Sequence, residues 1–255
     1  MPSLSEVRTA GQPPEVLARL NDEHWAGKFY MRKLSPYATL LFARLGWSPN
    51  AVTVAFIVSG VLGAILAAVP GVLAAIGVLV LFQLYLLFDC ADGELARYTQ
   101  RFSAAGVFLD RMGHYICEAL LLAGLGVRAQ GGGHLSGPYV SCGLAAAICV
   151  TLIKAETDGV AVARAASGLG VAHADEALAP RSSGLALARR LASALKVHRA
   201  IQAVELSFLI FICAAVDQLT RTLTATRVLV VAALVIGVLI AFAHLVAIVA
   251  SRRLS

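Results

Sequence analysis

Apolar residues in this chain gather into long blocks separated by polar stretches. Blocks at 51–69, 72–97, 104–126, 138–157, 202–220 and 227–250 are each long enough to cross about 30 Å of hydrocarbon as a helix, which takes roughly 20 residues. The pattern predicts an all-α membrane protein with six transmembrane helices. Charged residues interrupt the second and third blocks, so hydropathy alone underrates both. Ahead of the blocks, residues 28–45 mix aromatic and aliphatic side chains with Lys28, Arg32, Lys33 and Arg44, which predicts an N-terminal interfacial helix on the inner membrane surface. The expected division is a cytoplasmic and interfacial segment at 1–45 and a membrane domain at 46–255, with a cytoplasmic connection at about 158–199. In that connection, 165–184 is rich in Ala, Gly and Ser and reads as loop. Leu187, Leu191 and Leu195, beside Arg189, Arg190 and Lys196, suggest a second surface helix. Gly131, Gly132 and Gly133 read as a turn on the outer side, not a phosphate cradle.

Composition agrees with the pattern and narrows the setting. Of 255 residues, 59% are hydrophobic and 14% charged, and the mean hydropathy is +0.79, which excludes an ordinary soluble domain. Placing the N-terminus inside leaves Arg128, Arg221 and Arg227 as the basic residues of outer loops, as the positive-inside rule requires. This orientation predicts a multi-pass protein of the cytoplasmic membrane, and no signal peptide is expected at the start. The net charge of +6 is accounted for by basic residues bordering the spans and by anionic lipid, with no nucleic-acid partner expected. Cys90, Cys117, Cys142, Cys149 and Cys213 all fall in spans without metal or redox spacing and read as small apolar residues.

Against this background, residues 89–114 stand out. Asp89, Asp92 and Asp110 are carboxylates in membrane-length segments, where ionised groups are costly and usually mark function. Helical spacing places Asp89, Gly93 and Arg97 on one row, with Asp92 beside it, and Gly106, Asp110, His114 and Glu118 on another. A rise of about 1.5 Å per residue puts both groups in the inner half of the membrane. Carboxylates this close repel one another unless a cation compensates them, and a hard divalent ion with phosphate-oxygen co-ligands meets that need. Gly93, Ala96 and Gly106 leave room for a bulky ligand or a close helix. The competing reading pairs the acids structurally with Arg97, Arg101 or Arg111.

The full pattern, Asp89-x2-Asp92-Gly93-x2-Ala96-Arg97-x8-Gly106-x3-Asp110-x3-His114, resembles the signature of the CDP-alcohol phosphatidyltransferase family at every defined position but the last, where the family has Asp. The segment from Ser48 to Thr53 is also similar to the family's Pro-Asn-x-x-Thr. The resemblance implies a six-helix, commonly homodimeric membrane enzyme with a dimetal site open to the cytosol. Such enzymes transfer a substituted phosphate from a CDP-alcohol donor to the hydroxyl of an alcohol acceptor and release CMP, in phospholipid or related phospho-alcohol synthesis. Carried over by position, Asp89, Asp92, Asp110 and His114 would be metal ligands for Mg²⁺ or Mn²⁺. Asp92, Gly93, Ala96, Arg97 and Gly106 would hold the CDP moiety.

The family's last Asp binds the second metal and takes the proton of the attacking hydroxyl. Imidazole brings no negative charge, so the expectation at His114 is one firmly bound cation and a second that is weak or absent, with His114 as base and Asp110 in reserve. Lys154, His198 and Arg199 are candidates for a phosphate-bearing acceptor, against the reading that they snorkel to water. Glu118 and Glu205 are possible buried partners of such cations, Asp217 is expected at the outer surface, and His244 as a packed, hydrogen-bonded residue. The alternatives are a catalytically altered or inactive CDP-alcohol-binding protein and, less favoured, a prenyltransferase.

Overall fold

The structure is a computed structural model that describes residues 2–17, 30–169 and 202–250. Its described residues form helices and no strands: α1 Leu4–Gly11, α2 Pro14–Leu17, α3 Arg32–Arg44, α4 Pro49–Ala67, α5 Val72–Thr99, α6 Ala104–Gln130, α7 Pro138–Ala166, α8 Ala203–Thr220 and α9 Thr224–Ala250. Local chemistry sets several ends. Ser48 caps α4 by accepting from the Ala51 amide, with Pro49 pre-set for the first turn. Ser103 caps α6 through the Gly106 amide at 3.0 Å. Gln100 closes α5 in the left-handed region at φ 53°, and the turn at Gly131–Gly133 ends α6 with three positive φ angles.

Five helices, α4, α5, α7, α8 and α9, are long and apolar enough to cross a membrane. The sixth long helix, α6, spans 27 residues but carries Asp110, Arg111, Glu118 and Arg128, which keep it outside that class by composition. It nonetheless lies within the bundle, packed between α4 and α7. Gly126 of α6 and Gly143 of α7 set that contact, since a Cβ on Gly126 would come within 3.0 Å of the Gly143 Cα. Phe56, Phe82, Tyr85, Leu121, Leu125, Ile210 and Val230 fill the common core.

Three expectations change. The stretch 158–166, expected in the inner connection, continues α7 as helix, and its Asp158 reaches back to α6 by pairing with Arg111 and accepting from the Tyr115 hydroxyl. Arg128 is in the last turn of α6, not a loop, and is 1% exposed, because its guanidinium serves the carbonyls of Val69 and Gly71. Asp217 is likewise buried rather than at a surface, accepting from the Ala225 and Thr226 amides at the start of α9. The N-terminal segment docks: α1 packs on α3 and α5. His244 is packed as expected, with Nδ1 2.8 Å from Glu156 Oε2. Leu187, Leu191, Leu195, His198 and Arg199 lie outside the described residues.

Helix α3, expected to be interfacial, is turned the opposite way from a simple amphipathic strap. Its Ser35 and Thr39 are buried against α5, while its Leu34, Tyr37 and Leu41, and Leu45 at its C-cap, are each half exposed or more. A buried carboxylate on α5, Glu94, supplies the reason.

Candidate functional site

α4 packs against both α5 and α6, whereas α5 and α6 are not packed along each other, so the two polar rows diverge from the Gln100–Ser103 turn around the start of α4. A cavity of about 460 Å³ fills the gap. Every defined position of the 89–114 pattern lines it, together with Asn50 and Thr53 of α4. Gly106 is small for a packing reason as well, since a Cβ there would lie 2.7 Å from Asn50 Oδ1.

Asp89, Asp110 and His114 converge so that one donor atom from each lies within 4.8 Å of the others. His114 Nε2 is 3.1 Å from Asp89 Oδ1 and 3.7 Å from Asp110 Oδ1. Two donors on adjacent corners of an octahedron with bonds of about 2.1 Å stand about 3 Å apart, so this set fits a hard divalent cation of Mg²⁺ or Mn²⁺ type. Asp92 is not in that group of three. It is buried, and its Oδ2 accepts from the Thr53 hydroxyl at 2.6 Å, which fixes the carboxylate on the cavity wall. The other ring nitrogen of His114, Nδ1, is 2.6 Å from the Tyr85 hydroxyl.

The structural pairing weighed for the acids does not hold for Arg111, which turns to Asp158. Arg97 lines the cavity and donates from Nε to the Gly11 carbonyl at 2.7 Å. Gly11 can sit there because it has no side chain: a Cβ would meet the Glu94 Cβ at 3.0 Å. Glu94, fully buried, accepts from Gln12 Nε2 at 2.8 Å and from the hydroxyls of Ser35 and Thr39, with Arg32 Nη1 at 3.9 Å. One carboxylate thus gathers α1, α3 and α5, and Val16 and Arg32 become part of the cavity wall.

Of the acceptor candidates, Lys154 lies on α7 and pairs with buried Glu118 at 3.1 Å, outside the cavity lining, while Glu118 Oε1 is 4.0 Å from His114 Nδ1. His198 and Arg199 lie outside the described residues. Sequence reading missed Arg32 and Arg101 as cavity residues, Glu94 as the docking centre and Tyr85 as the partner of His114. Tyr85 had a signal: it stands one helical turn before Asp89, on the same row. Glu94 had another, as one more acid inside the cluster.

No family model matches the chain. Among characterised proteins, it is similar to a phosphatidylinositol phosphate synthase of Streptomyces avermitilis, with 31% identity over 163 residues, or 63% of this chain. The match covers 64% of the relative's length, a little under two thirds.

Proposed function

We propose that this chain is a member of the CDP-alcohol phosphatidyltransferase family, a membrane enzyme that transfers a substituted phosphate from a CDP-alcohol to the hydroxyl of a second alcohol and releases CMP. The observation that carries the reading is convergence: positions spread over residues 89–114 line one cavity, with Asp89, Asp110 and His114 poised as a donor set. The relative's name adds that the product is a phosphatidylinositol phosphate, hence a phosphate-bearing acceptor. Arg32 and Arg101 line the cavity beside Arg97 and so suit such an acceptor better than Lys154, which lies outside the lining. The reading includes α6 as a sixth span, the described helices from α4 onward as one membrane domain, and a cavity open to the cytosol.

A divalent cation held by Asp89, Asp110 and His114 would supply positive charge to the diphosphate and to the departing CMP. Arg97, oriented by Gly11, brings guanidinium donors to phosphate oxygens, and Gly93 and Ala96 leave the helix surface low enough for the nucleotide to approach. The acceptor oxygen attacks the β-phosphorus, the bond from that phosphorus to the CMP oxygen breaks, and the acceptor's proton passes to a side chain. Both ring nitrogens of His114 already have partners, Tyr85 and Asp89, whereas the Asp110 side chain is 42% exposed. The geometry therefore favours Asp110 as base and gives His114 the task of completing the donor set. One firmly held cation is expected, because imidazole adds no negative charge for a second.

The test is CMP release by the purified full chain with Mg²⁺ or Mn²⁺, CDP-diacylglycerol and a panel of alcohol and phospho-alcohol acceptors. Release that needs both metal and acceptor supports transfer. Nucleotide binding without release across the panel favours the inactive relative, and pyrophosphate release from a prenyl diphosphate would overturn the reading.

A further inference from the structure

His114 replaces a carboxylate, and the replacement brings a problem that an Asp does not have. A carboxylate offers two equivalent oxygens, but an imidazole offers a nitrogen to the acids in only one ring orientation. Rotating the ring by a half-turn exchanges each nitrogen with a carbon and turns Nε2 away from Asp89. Something must therefore hold the ring.

We propose that Tyr85 is a positioning residue that holds His114 through Nδ1, so that Nε2 is presented, with Asp89 and Asp110, to a divalent cation. The Tyr85 hydroxyl lies 2.6 Å from Nδ1, while Asp89, one turn along the same face of α5, lies 3.1 Å from Nε2. One helix thus grips the ring of the next at both nitrogens. Tyr85 has a fixed position: it is 1% exposed, and its ring packs edge-on to Phe56 at 5.0 Å and against Phe82 at 5.4 Å. Gly60 of α4 gives it space, since a Cβ there would come within 2.8 Å of the Tyr85 ring. With Nε2 directed at a cation, the ring proton sits on Nδ1 and is donated to the Tyr85 oxygen. This is the arrangement by which second partners orient metal-bound imidazoles. An Asp at 114 would present no Nδ1 to the phenol, so Tyr85 and His114 form a functional pair.

The proposal rests on the cation-site reading, and the test separates the two. Mn²⁺ binding to the detergent-solubilised full chain is measured by titration and by pulsed electron paramagnetic resonance for wild type, Tyr85→Phe, His114→Asp and the double variant. The wild type should show a ¹⁴N coupling from a directly bound imidazole, lost in His114→Asp. Tyr85→Phe, which keeps the packed ring, should weaken Mn²⁺ binding about tenfold in the wild-type background and by about twofold or less beside His114→Asp. Equal losses in both backgrounds would reduce Tyr85 to packing and overturn the pairing. So would wild-type Mn²⁺ binding without nitrogen coupling, a result that needs no variant to fold and leaves the reaction untouched. No Mn²⁺ binding by the wild type would overturn the cation site and the pairing together.

Discussion

Buried or half-buried charges gather at two ends of this bundle, and each group borders a cavity, yet they are built on opposite principles. At one end, Arg128 donates to the carbonyls of Val69 and Gly71 at 2.6 and 2.7 Å, where the chain leaves α4. Asp217 accepts from the Ala225 and Thr226 amides at 2.8 and 3.0 Å, where α9 begins. Both charges go to backbone groups at helix ends, the Ala225 and Thr226 amides at the start of α9 and the Val69 and Gly71 carbonyls between α4 and α5, so they complete the fold. At the other end, Asp89, Asp110 and His114 face one another across a cavity of about 460 Å³. On the proposed reading, their mutual proximity would cost stability without a cation and would serve the chemistry with one bound. On that reading, charges that face one another across a cavity serve function, whereas those that face helix ends serve architecture.

The comparison can be broken most sharply at Asp89. Asp89→Asn should keep the bundle folded, as judged by its melting temperature, and lower acceptor-dependent CMP release by about 1,000-fold, equivalent to roughly 4 kcal/mol of barrier. Intact turnover would place the chemistry elsewhere. Arg128→Met should do the reverse. Losing two charge-assisted hydrogen bonds to buried carbonyls should cost about 3 kcal/mol of stability, while turnover per folded molecule stays within about twofold. A variant that melts normally but cannot turn over would erase the distinction.

Glu94 sharpens the boundary, because it is fully partnered like the first group but sits beside the second. Glu94→Ala strands Gln12, Ser35 and Thr39, so α1 should undock and Arg97 lose its Gly11 support. The KM for the CDP-alcohol should rise about tenfold, with kcat changed less, because the loss falls on ground-state binding. Faster tryptic cleavage at Arg8 would report the undocking directly.

The smallest effect is expected at Glu6, on the exposed rim of that docked segment. Its carboxyl is held below its usual value of 4.5, first by the Ser3 backbone amide and then by the Ser3 side chain. A depressed carboxyl contributes stability that is fully present above 4.5 and is lost as pH falls through the lower folded value. Amide exchange in α1 should therefore quicken slightly in that acid window and not between pH 5 and 8. Ser3→Ala should move the Glu6 titration upwards, and an unmoved midpoint would remove the reciprocal Ser3–Glu6 capping box at the start of α1 from the account.

The long helices were legible because a bilayer imposes a length and an apolar composition, and 72–97 or 227–250 can satisfy neither any other way. The site was legible because three- and four-residue spacing on a helix puts Asp89 beside Asp92 and Asp110 beside His114 wherever those helices go. Apolar runs said little about helix ends, so α7 extends past its run to Ala166, where Asp158 holds it to α6. The N-terminal segment carried no such signal. Its capping box predicts a helix and not a destination, and the contacts that dock it join residues 82 and 86 positions apart.

The sequence by itself determined a helical membrane bundle, read as six spans of which five are long and apolar enough among the described residues, and a polar row on each of two helices, because both follow from local periodicity and from what hydrocarbon tolerates. Only the tertiary structure decided that α4 holds those rows apart over a cavity, that Glu94 brings the N-terminus to its edge, and that Tyr85 grips His114 from the neighbouring helix. Those outcomes depend on which side chains meet across helices, and helix crossing is set by packing that no local repeat encodes.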